Sequence, residues 1–452
     1  MPPSPQAYRP ATTLLDLGPT LADPVAAADF PETRLRFRND RAAGEIGLDT
    51  LGDDEWTEAF GRFVPLPGTL PQPLALRYHG HQFRQYNPEI GDGRGFTFAQ
   101  VRDAGGRLMD LGTKGSGTTP YSRFGDGRLT LKGGVREILA TEMLEALNVP
   151  TSRTLSLIET GEQLMRGDEP SPTRSAVLVR LSHGHIRIGS FQRLAYHQDE
   201  AGMRALVRYV LANLYDDDSD DPLRLLDLVV GRTATLAARY MAAGFVHGVL
   251  NSDNINVTGE SFDYGPWRFA PTWDPAFTAA YFDHAGLYAF GRQPEAINWD
   301  VMQLAASLRL IAESDPLIAT LETFGPRYQP KIAAALLWRL GVLPRGDEAD
   351  RALVQTMERA LRGSAVPLDR FFFDVFGGTL PDGYGDDWQP FRDALAAHAP
   401  RKDRNHAYWQ GDPCSMLIDE VEAIWAPIAE ADDWSALNAK VAAIRQMGEA
   451  MA

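Results

Sequence analysis

The stretch Phe245–Gly265, FVHGVLNSDNINVTGESFDYG, carries the reading of the whole chain. It follows an apolar run of helical period, residues 223–243, that predicts a long helix. His247, Asn251, Asp253, Asn254 and Asp263 crowd into it. Asn254 comes seven residues after His247, and Asp263-Tyr264-Gly265 begins nine residues later. An Asn and an Asp flanking a hairpin-like stretch (255–257, a turn, 261–263) can jointly hold Mg²⁺, which favours hard oxygen ligands. The plainer reading of Asn251, Asp253 and Asn254 is that they are turn formers.

The same step of seven from His to Asn, followed by an Asp-Phe-Gly triplet, marks a protein-kinase catalytic loop. The residue at the kinase base position, however, is Val249, which cannot accept a proton. Asp253 stands beside Asn254 instead. A carboxylate next to a metal ligand could orient or deprotonate a hydroxyl.

Upstream, three more constellations appear in kinase-lobe order. Gly91-Asp92-Gly93-Arg94-Gly95 opens a β-type run over 95–101. Its glycines would let backbone N–H groups approach a phosphate, and Arg94 could pair with one; a tight turn would use the same residues. Lys114 follows a β-type run over 108–113 and precedes Glu137 by 23 residues. Glu137 lies early in a helix predicted over 134–147, where Val135, Ile138, Leu139, Met143 and Leu147 share one side. A strand Lys held by a helix Glu grips nucleotide phosphates in kinases. A surface Lys and a first-turn Glu favouring the helix dipole would read the same way. Arg180 closes an apolar run over 176–181 and is followed by Arg187, in VRLSHGHIRIG. A buried Arg needs an anionic partner, either Asp or Glu or a ligand phosphate.

The fold class expected is α+β: a two-lobe, protein-kinase-like fold with a β-rich N-lobe containing one key helix and a mainly helical C-lobe. Residues 1–75, rich in Pro and acids, read as an N-terminal arm packing on the core, with one short helix near 55–60. Residues 76–195 form the nucleotide-binding N-lobe, and 196–380 the helical C-lobe with the catalytic loop. Residues 381–452 read as a C-terminal helical extension. Beyond 223–243, helices are expected at 201–214, 300–313, 331–341, 349–362 and 413–428.

Composition bounds the partners. The chain has 452 residues, 44 basic and 60 acidic, for a net charge of −16. That balance argues against nucleic acid and anionic membranes, though a local basic pocket remains compatible with it. Cys414 is the only cysteine, so neither an internal disulfide nor a cysteine metal cluster can form, which fits a reducing compartment. No apolar stretch reaches the roughly 18–20 residues of a membrane helix. The N-terminus has neither a secretory nor a mitochondrial address pattern. The expectation is a soluble, cytoplasmic monomer. The acidic run at 216–221 reads as a solvated loop, and His79 and His81 as packing or capping residues rather than a metal pair.

Several segments together resemble the selenoprotein O (SelO/YdiU) family. They are GHQFRQYNPEIGDGRG (80–95), KGSGTTPYSRFGDGRLTLKGGVREILATE (114–142), RLSHGHIRIGSF (180–191), the 245–267 stretch and YAFGRQPEAINWDVMQLA (288–305). The resemblance spans about residues 76–310. It implies a kinase-like fold and AMPylation, the transfer of AMP from ATP to a Ser, Thr or Tyr hydroxyl of a protein, with ATP bound inverted. Gly91, Gly93 and Arg94 match the family's nucleotide loop, Lys114 its nucleotide-contacting Lys, and Glu137 the partner of that Lys. Asp126 and Gly127 match a second nucleotide-lining element, and Arg180 and Arg187 the arginines on the inverted phosphates. Asp253 matches the proton acceptor, and Asn254 and Asp263 the Mg²⁺ (or Mn²⁺) ligands. The implied partners are protein substrates, this chain among them. Two departures stand out: Arg84 occupies a position that is usually Gly in the family's GHQFG, and Cys414 has no second cysteine with which to form a redox pair. A kinase-type phosphotransferase and a non-catalytic nucleotide-binding scaffold are the competing readings.

Overall fold

The computed structural model describes residues 7–167 and 169–452. Its first half is built on an antiparallel sheet. In chain order the elements are β1 (Pro10–Ala11), β2 (Ala22–Pro24), β3 (Arg34–Arg38), α1 (Asp40–Glu45), α2 (Asp53–Gly61), β4 (Leu74–Leu76), β5 (Gly80–Gln82), β6 (Gln85–Asn87), β7 (Thr97–Arg102), β8 (Leu108–Lys114), β9 (Leu129–Thr130), α3 (Leu131–Ala146), β10 (Arg153–Leu164) and β11 (Thr173–Ser182). The sheet runs β2-β4-β7-β8-β11-β10-β3, with β1 added to β7 and β9 to β11.

Both faces of this sheet are covered, so its central strands are apolar on both sides. On β11, Leu178 packs with Val135, Ile138 and Leu139 of α3. Its neighbours Val177 and Val179 point the other way, towards Trp56, Phe60 and Phe98. The expected short helix at 55–60 is present as α2, where the Glu55 carboxylate accepts the Gly52 N–H at 2.9 Å. The segment read as an arm also supplies three strands to the sheet: β1 on β7, β2 on β4 and β3 on β10.

The second half is helical: α4 (Ile188–Tyr196), α5 (Glu200–Leu214), α6 (Pro222–Ala243), α7 (Gln293–Leu308), α8 (Ser314–Leu321), α9 (Phe324–Leu340), α10 (Asp347–Arg362), α11 (Leu368–Val375), α12 (Gln389–Ala396), α13 (Ile418–Ala431) and α14 (Ser435–Met451). Asp221 caps α6 by accepting the Leu223 N–H at 2.9 Å, with Pro222 in the first turn. Gly244, at φ +70°, ends it in a left-handed cap. This stop delivers the chain into β12 (Phe245–Val246), which pairs with β13 (Arg268–Phe269). The 247–265 loop hangs between these two strands.

The hairpin expected across 255–263 does not form. Each arm pairs elsewhere: Asn256 bridges to Arg187, and Ser261 to Thr151. Ile188 N–H donates to the Ile255 carbonyl and Val257 N–H to the Ile186 carbonyl, both at 3.0 Å. The loop is thereby joined to the segment carrying Arg187. Helices α13 and α14 return to the sheet half, where α14 packs on α3. A curled antiparallel sheet half followed by a helical half is the two-lobe, kinase-like α+β layout. No helix among the described residues is long and apolar enough to cross a membrane.

Candidate active site

A cavity of about 740 Å³ lies between the sheet half and the loop after β12. Ten of the sequence-derived residues line it: Gly91, Gly93, Arg94, Lys114, Asp126, Gly127, Arg180, Arg187, Asp253 and Asp263. Glu137 and Asn254 do not. Seven Lys and Arg side chains face four Asp in its lining, a local positive excess inside a chain of −16.

The centre of the arrangement is Asp263. Lys114, at the end of β8, is buried and ion-paired with Glu137 of α3 behind it. The Lys114 ammonium also faces Asp263 Oδ1 at 2.9 Å. Arg180 approaches the same oxygen at 3.6 Å, and Arg187 approaches Oδ2 at 3.9 Å. Burial alone would raise the Asp263 carboxyl, but Lys114, Arg180, Arg187 and Arg94 outweigh it and hold the group well below the usual carboxylate range. Asp263 has φ +62°, a left-handed conformation uncommon outside Gly and Asn. His247 holds that turn: its Nε2 pairs with the Phe262 carbonyl at 3.0 Å.

The two arginines are fixed by packing as much as by charge. The Arg187 guanidinium lies over the rings of Tyr78 (4.3 Å) and Phe262 (4.8 Å). It donates to Asp92 Oδ1 and to the Asp253 carbonyl, both at 3.0 Å. Arg180 also lies over Phe262, and its Nε and Nη1 are buried without a hydrogen-bond partner. A buried guanidinium with unused donors beside a cavity is built for an anion.

Asp253 differs from Asp263 in environment. Burial pushes its carboxyl up to about 6, against the pull of Arg187. Its Oδ1 has no hydrogen-bond partner. Asn254 donates its amide nitrogen to the Val249 carbonyl at 3.0 Å, which leaves Oδ1 as its free group. The Asn254 amide oxygen and the Asp263 carboxylate are a pair of hard oxygen donors. That pair suits Mg²⁺, which is commonly bound through one or two carboxylates plus substrate phosphates. Among the described residues no group of three or more His, Cys, Asp or Glu forms an all-protein metal cage.

The glycines serve close approach. A Cβ on Gly91 would stand 2.4 Å from the Tyr121 ring, and one on Gly93 2.9 Å from the Tyr121 carbonyl. The loop can therefore lie flat on the 117–127 segment. Asp126 pairs at the mouth with Arg166, at 2.8 and 3.0 Å. Phe124, fully exposed, and Met165 form the apolar part of the rim.

Some participants were not read from the sequence. Asp92 anchors both Arg187 and the Leu76 N–H, and its place inside GDGRG was the available signal. Gly80, Tyr78 and Met165 carry no local signal. The β5–β6 hairpin reaches the 247–265 loop: His81 N–H donates to Ser252 Oγ (2.8 Å) and Phe83 N–H to Asn251 Oδ1 (3.0 Å). Asn251 thus acts across the cleft as well as in its own turn. His79 pairs with the Tyr86 hydroxyl at 2.8 Å and His81 with Gln192 at 2.6 Å. Phe83 (φ +49°) and Arg84 (φ +63°) form the two-residue turn between β5 and β6, where glycine fits at lower cost. Arg84 is held there by Glu295 at 3.1 Å and by the Trp299 ring at 5.3 Å.

The fold and this cleft define a kinase-like protein with a cationic pocket around one aspartate whose carboxyl is held well below the usual carboxylate range. The family model described as "Protein adenylyltransferase SelO" matches residues 6–410, and the chain belongs to that family. It is 44% identical to the "Protein nucleotidyltransferase YdiU" of Synechococcus elongatus, over 98% of this chain and 96% of that protein. The Synechocystis sp. protein of the same name is 42% identical, over 95% of this chain and 96% of its own length. That of Gloeobacter violaceus is 44% identical, over 94% and 92%. The similarity reaches well beyond the 76–310 span in which the motifs were legible.

Proposed function

We propose that this chain is a protein adenylyltransferase, moving AMP from ATP to Ser, Thr or Tyr hydroxyls of proteins, itself included, and releasing pyrophosphate. The observation that carries the reading is the convergence of Lys114, Arg180 and Arg187 on Asp263, with Asp253 across the same cavity. Membership of the family supports the choice of AMP over phosphate.

Lys114, braced by Glu137, and Arg94, Arg180 and Arg187 neutralise the phosphates and stabilise the departing pyrophosphate. Positioning and fixed charge supply most of the rate in such transfers. Asn254 and Asp263 would hold Mg²⁺ or Mn²⁺, which adds charge neutralisation at the reacting phosphate. Asp253, buried and titrating nearer neutrality than an ordinary Asp, accepts the hydroxyl proton. Gly91, Gly93, Asp126 and Gly127 shape the loops over the nucleotide. The protein would act in the cytoplasm as a monomer, with neither nucleic acid nor membrane as partner.

The test is intact mass after incubation with ATP and Mg²⁺ or Mn²⁺, paired with ATP labelled at the α or the γ position. A gain of AMP with α-label retained is expected. Retention of γ-label alone would make the chain a phosphotransferase. No modification of itself or of added protein with either metal would leave only a nucleotide-binding scaffold.

A further inference from the structure

Away from this cavity, the groove between α6 and α9 gathers positive charge that acids match only in part. Arg232, Thr235 and Arg239 recur at helical spacing along α6, and Arg327 and Lys331 are one turn apart on α9. Arg327 is paired with Asp227. Arg232, Arg239 and Lys331 form no salt bridge among the described residues. Lys331 donates to the Thr235 hydroxyl at 2.7 Å. Arg239 donates to the Asn148 carbonyl and, at 2.6 Å, to Asn148 Oδ1.

Thr235, Arg239, Lys331 and Asn148 border a cavity of about 300 Å³, within the range of small-ligand sites; Arg232 and Arg327 stand outside its lining. Arg239, Lys331, Thr235 and Asn148 supply its polar wall, and Leu147 and Trp338 part of its apolar wall. No Asp or Glu lines it. Its remaining cation, Arg339, is committed to Asp369 at 3.2 Å. Burial, and then Arg232, Arg239 and Arg327, pull the Lys331 ammonium below its ordinary value. Like charges are thus held together where an anion would relieve them. In a chain with 16 excess acids, such a patch is not a by-product of composition.

We propose that this groove is a second ligand site, for a small phosphomonoester. Lys331 and Arg239 take the phosphate, and the apolar body of the ligand lies against Trp338 and Leu147. Two cations from different helices match a dianion; a carboxylate would leave one of them unbalanced, and arginine favours the multiple oxygens of phosphate. Asn148 turns its oxygen to Arg239, which leaves its amide N–H₂ as a further donor. Arg239 also ties the groove to the residues that end α3, the helix carrying Glu137. The site is independent of the transfer reaction proposed above.

The experiment is calorimetric titration of the full chain with phenyl phosphate, with Mg²⁺ and a non-hydrolysable ATP analogue at saturation to occupy the first cavity. One equivalent is expected to bind, more tightly than phenol or inorganic phosphate. Lys331→Gln and Arg239→Gln should each weaken binding about ten- to hundredfold, as loss of a hydrogen bond to a charged group does, with melting curves checked alongside. Because Lys331 is partly buried, Arg232→Glu, at an exposed position outside the cavity whose charge acts on Lys331, serves as a second variant, with a smaller, salt-dependent loss expected. Lys114→Ala should leave the affinity unchanged. Binding weaker than about 1 mM, equal binding of phenol, or loss in Lys114→Ala but not in the groove variants would each overturn the proposal.

Discussion

Gly80 backs directly onto Asp253: a Cβ at position 80 would stand 2.7 Å from Asp253 Oδ1 and 2.9 Å from its Cβ. The whole aspartate side chain, not just its tip, would have to move. Gly80→Ala is therefore expected to displace the proposed base while leaving ATP binding nearly intact. Single-turnover transfer should fall about 10–10²-fold, short of the roughly 10²–10⁴-fold a general base contributes, and Asp253→Ala should fall further. An unchanged rate in Gly80→Ala would argue that Asp253 is not positioned by this contact.

Lys114 and Glu137 act as one unit, since the ammonium is held between Glu137 and Asp263. Lys114→Ala should cost about 10²–10³ in rate, typical of removing one fixed charge. Glu137→Gln should cost less. The double variant should be little worse than Lys114→Ala alone, because the effects of contacting residues do not add. Additive losses in a double-mutant cycle would separate the two roles.

Arg445 of α14 hydrogen-bonds both oxygens of Glu142 on α3, at 2.8 and 2.6 Å. Glu142 is almost completely buried, so Arg445→Ala leaves its carboxylate with the more distant Arg41 and an Asn39 amide. A loss of about 1–3 kcal/mol is expected by denaturant unfolding. Arg445→Lys should recover only part of it, because the paired geometry needs a guanidinium.

Arg36 and Arg174 share Glu159 and Asp432, joining β3, β10 and β11 to the end of α13. Burial, the largest single influence, opposes ionisation of Asp432, but hydrogen bonds from Arg174 and Trp434 and the nearby charges of Arg36 and Arg174 together outweigh it and lower its carboxyl to about 2. A depressed carboxyl contributes stability above its unfolded value, near 3.9, and that contribution disappears as pH falls from about 4 through 2. The stability gap between the parent and Asp432→Asn should close over that window. Asp432 is half exposed, so the gap should be small and shrink with salt. Trp434, which donates to Asp432 at 3.0 Å, offers a fluorescence readout.

Cys414 is buried, and burial pushes its thiol up to about 11. At pH 8 the thiolate is scarce and shielded, so iodoacetamide should modify it slowly in the folded protein and quickly in denaturant. Rapid native labelling would contradict this environment.

The parts legible in sequence were those whose geometry is local or whose spacing is fixed. The step from His247 to Asn254, the strand before Lys114 and the helix after it all announced themselves by period or motif. The strands at 10–11, 22–24 and 34–38 did not, because two to five residues are too few to show alternation and their partners lie far along the chain. The 255–263 segment misled for a related reason. Its turn residues suit a hairpin, but Gly184–Ile188 and Thr151 offered better-placed backbone partners. Gly80 and Tyr78 matter only through what they touch across the cleft, which no window of sequence contains.

The β5–β6 hairpin has one more consequence. It leaves the sheet half and fastens to Ser252, Asn251 and Glu295 in the helical half. Swinging the halves apart like a hinged jaw would break all three attachments at once. If the chain transfers AMP as proposed, nucleotide and pyrophosphate would pass the exposed Phe124 and Met165 at the rim of the cavity. Substitutions in the 117–127 segment, which lines the same cavity, are then expected to alter product release before they alter chemistry.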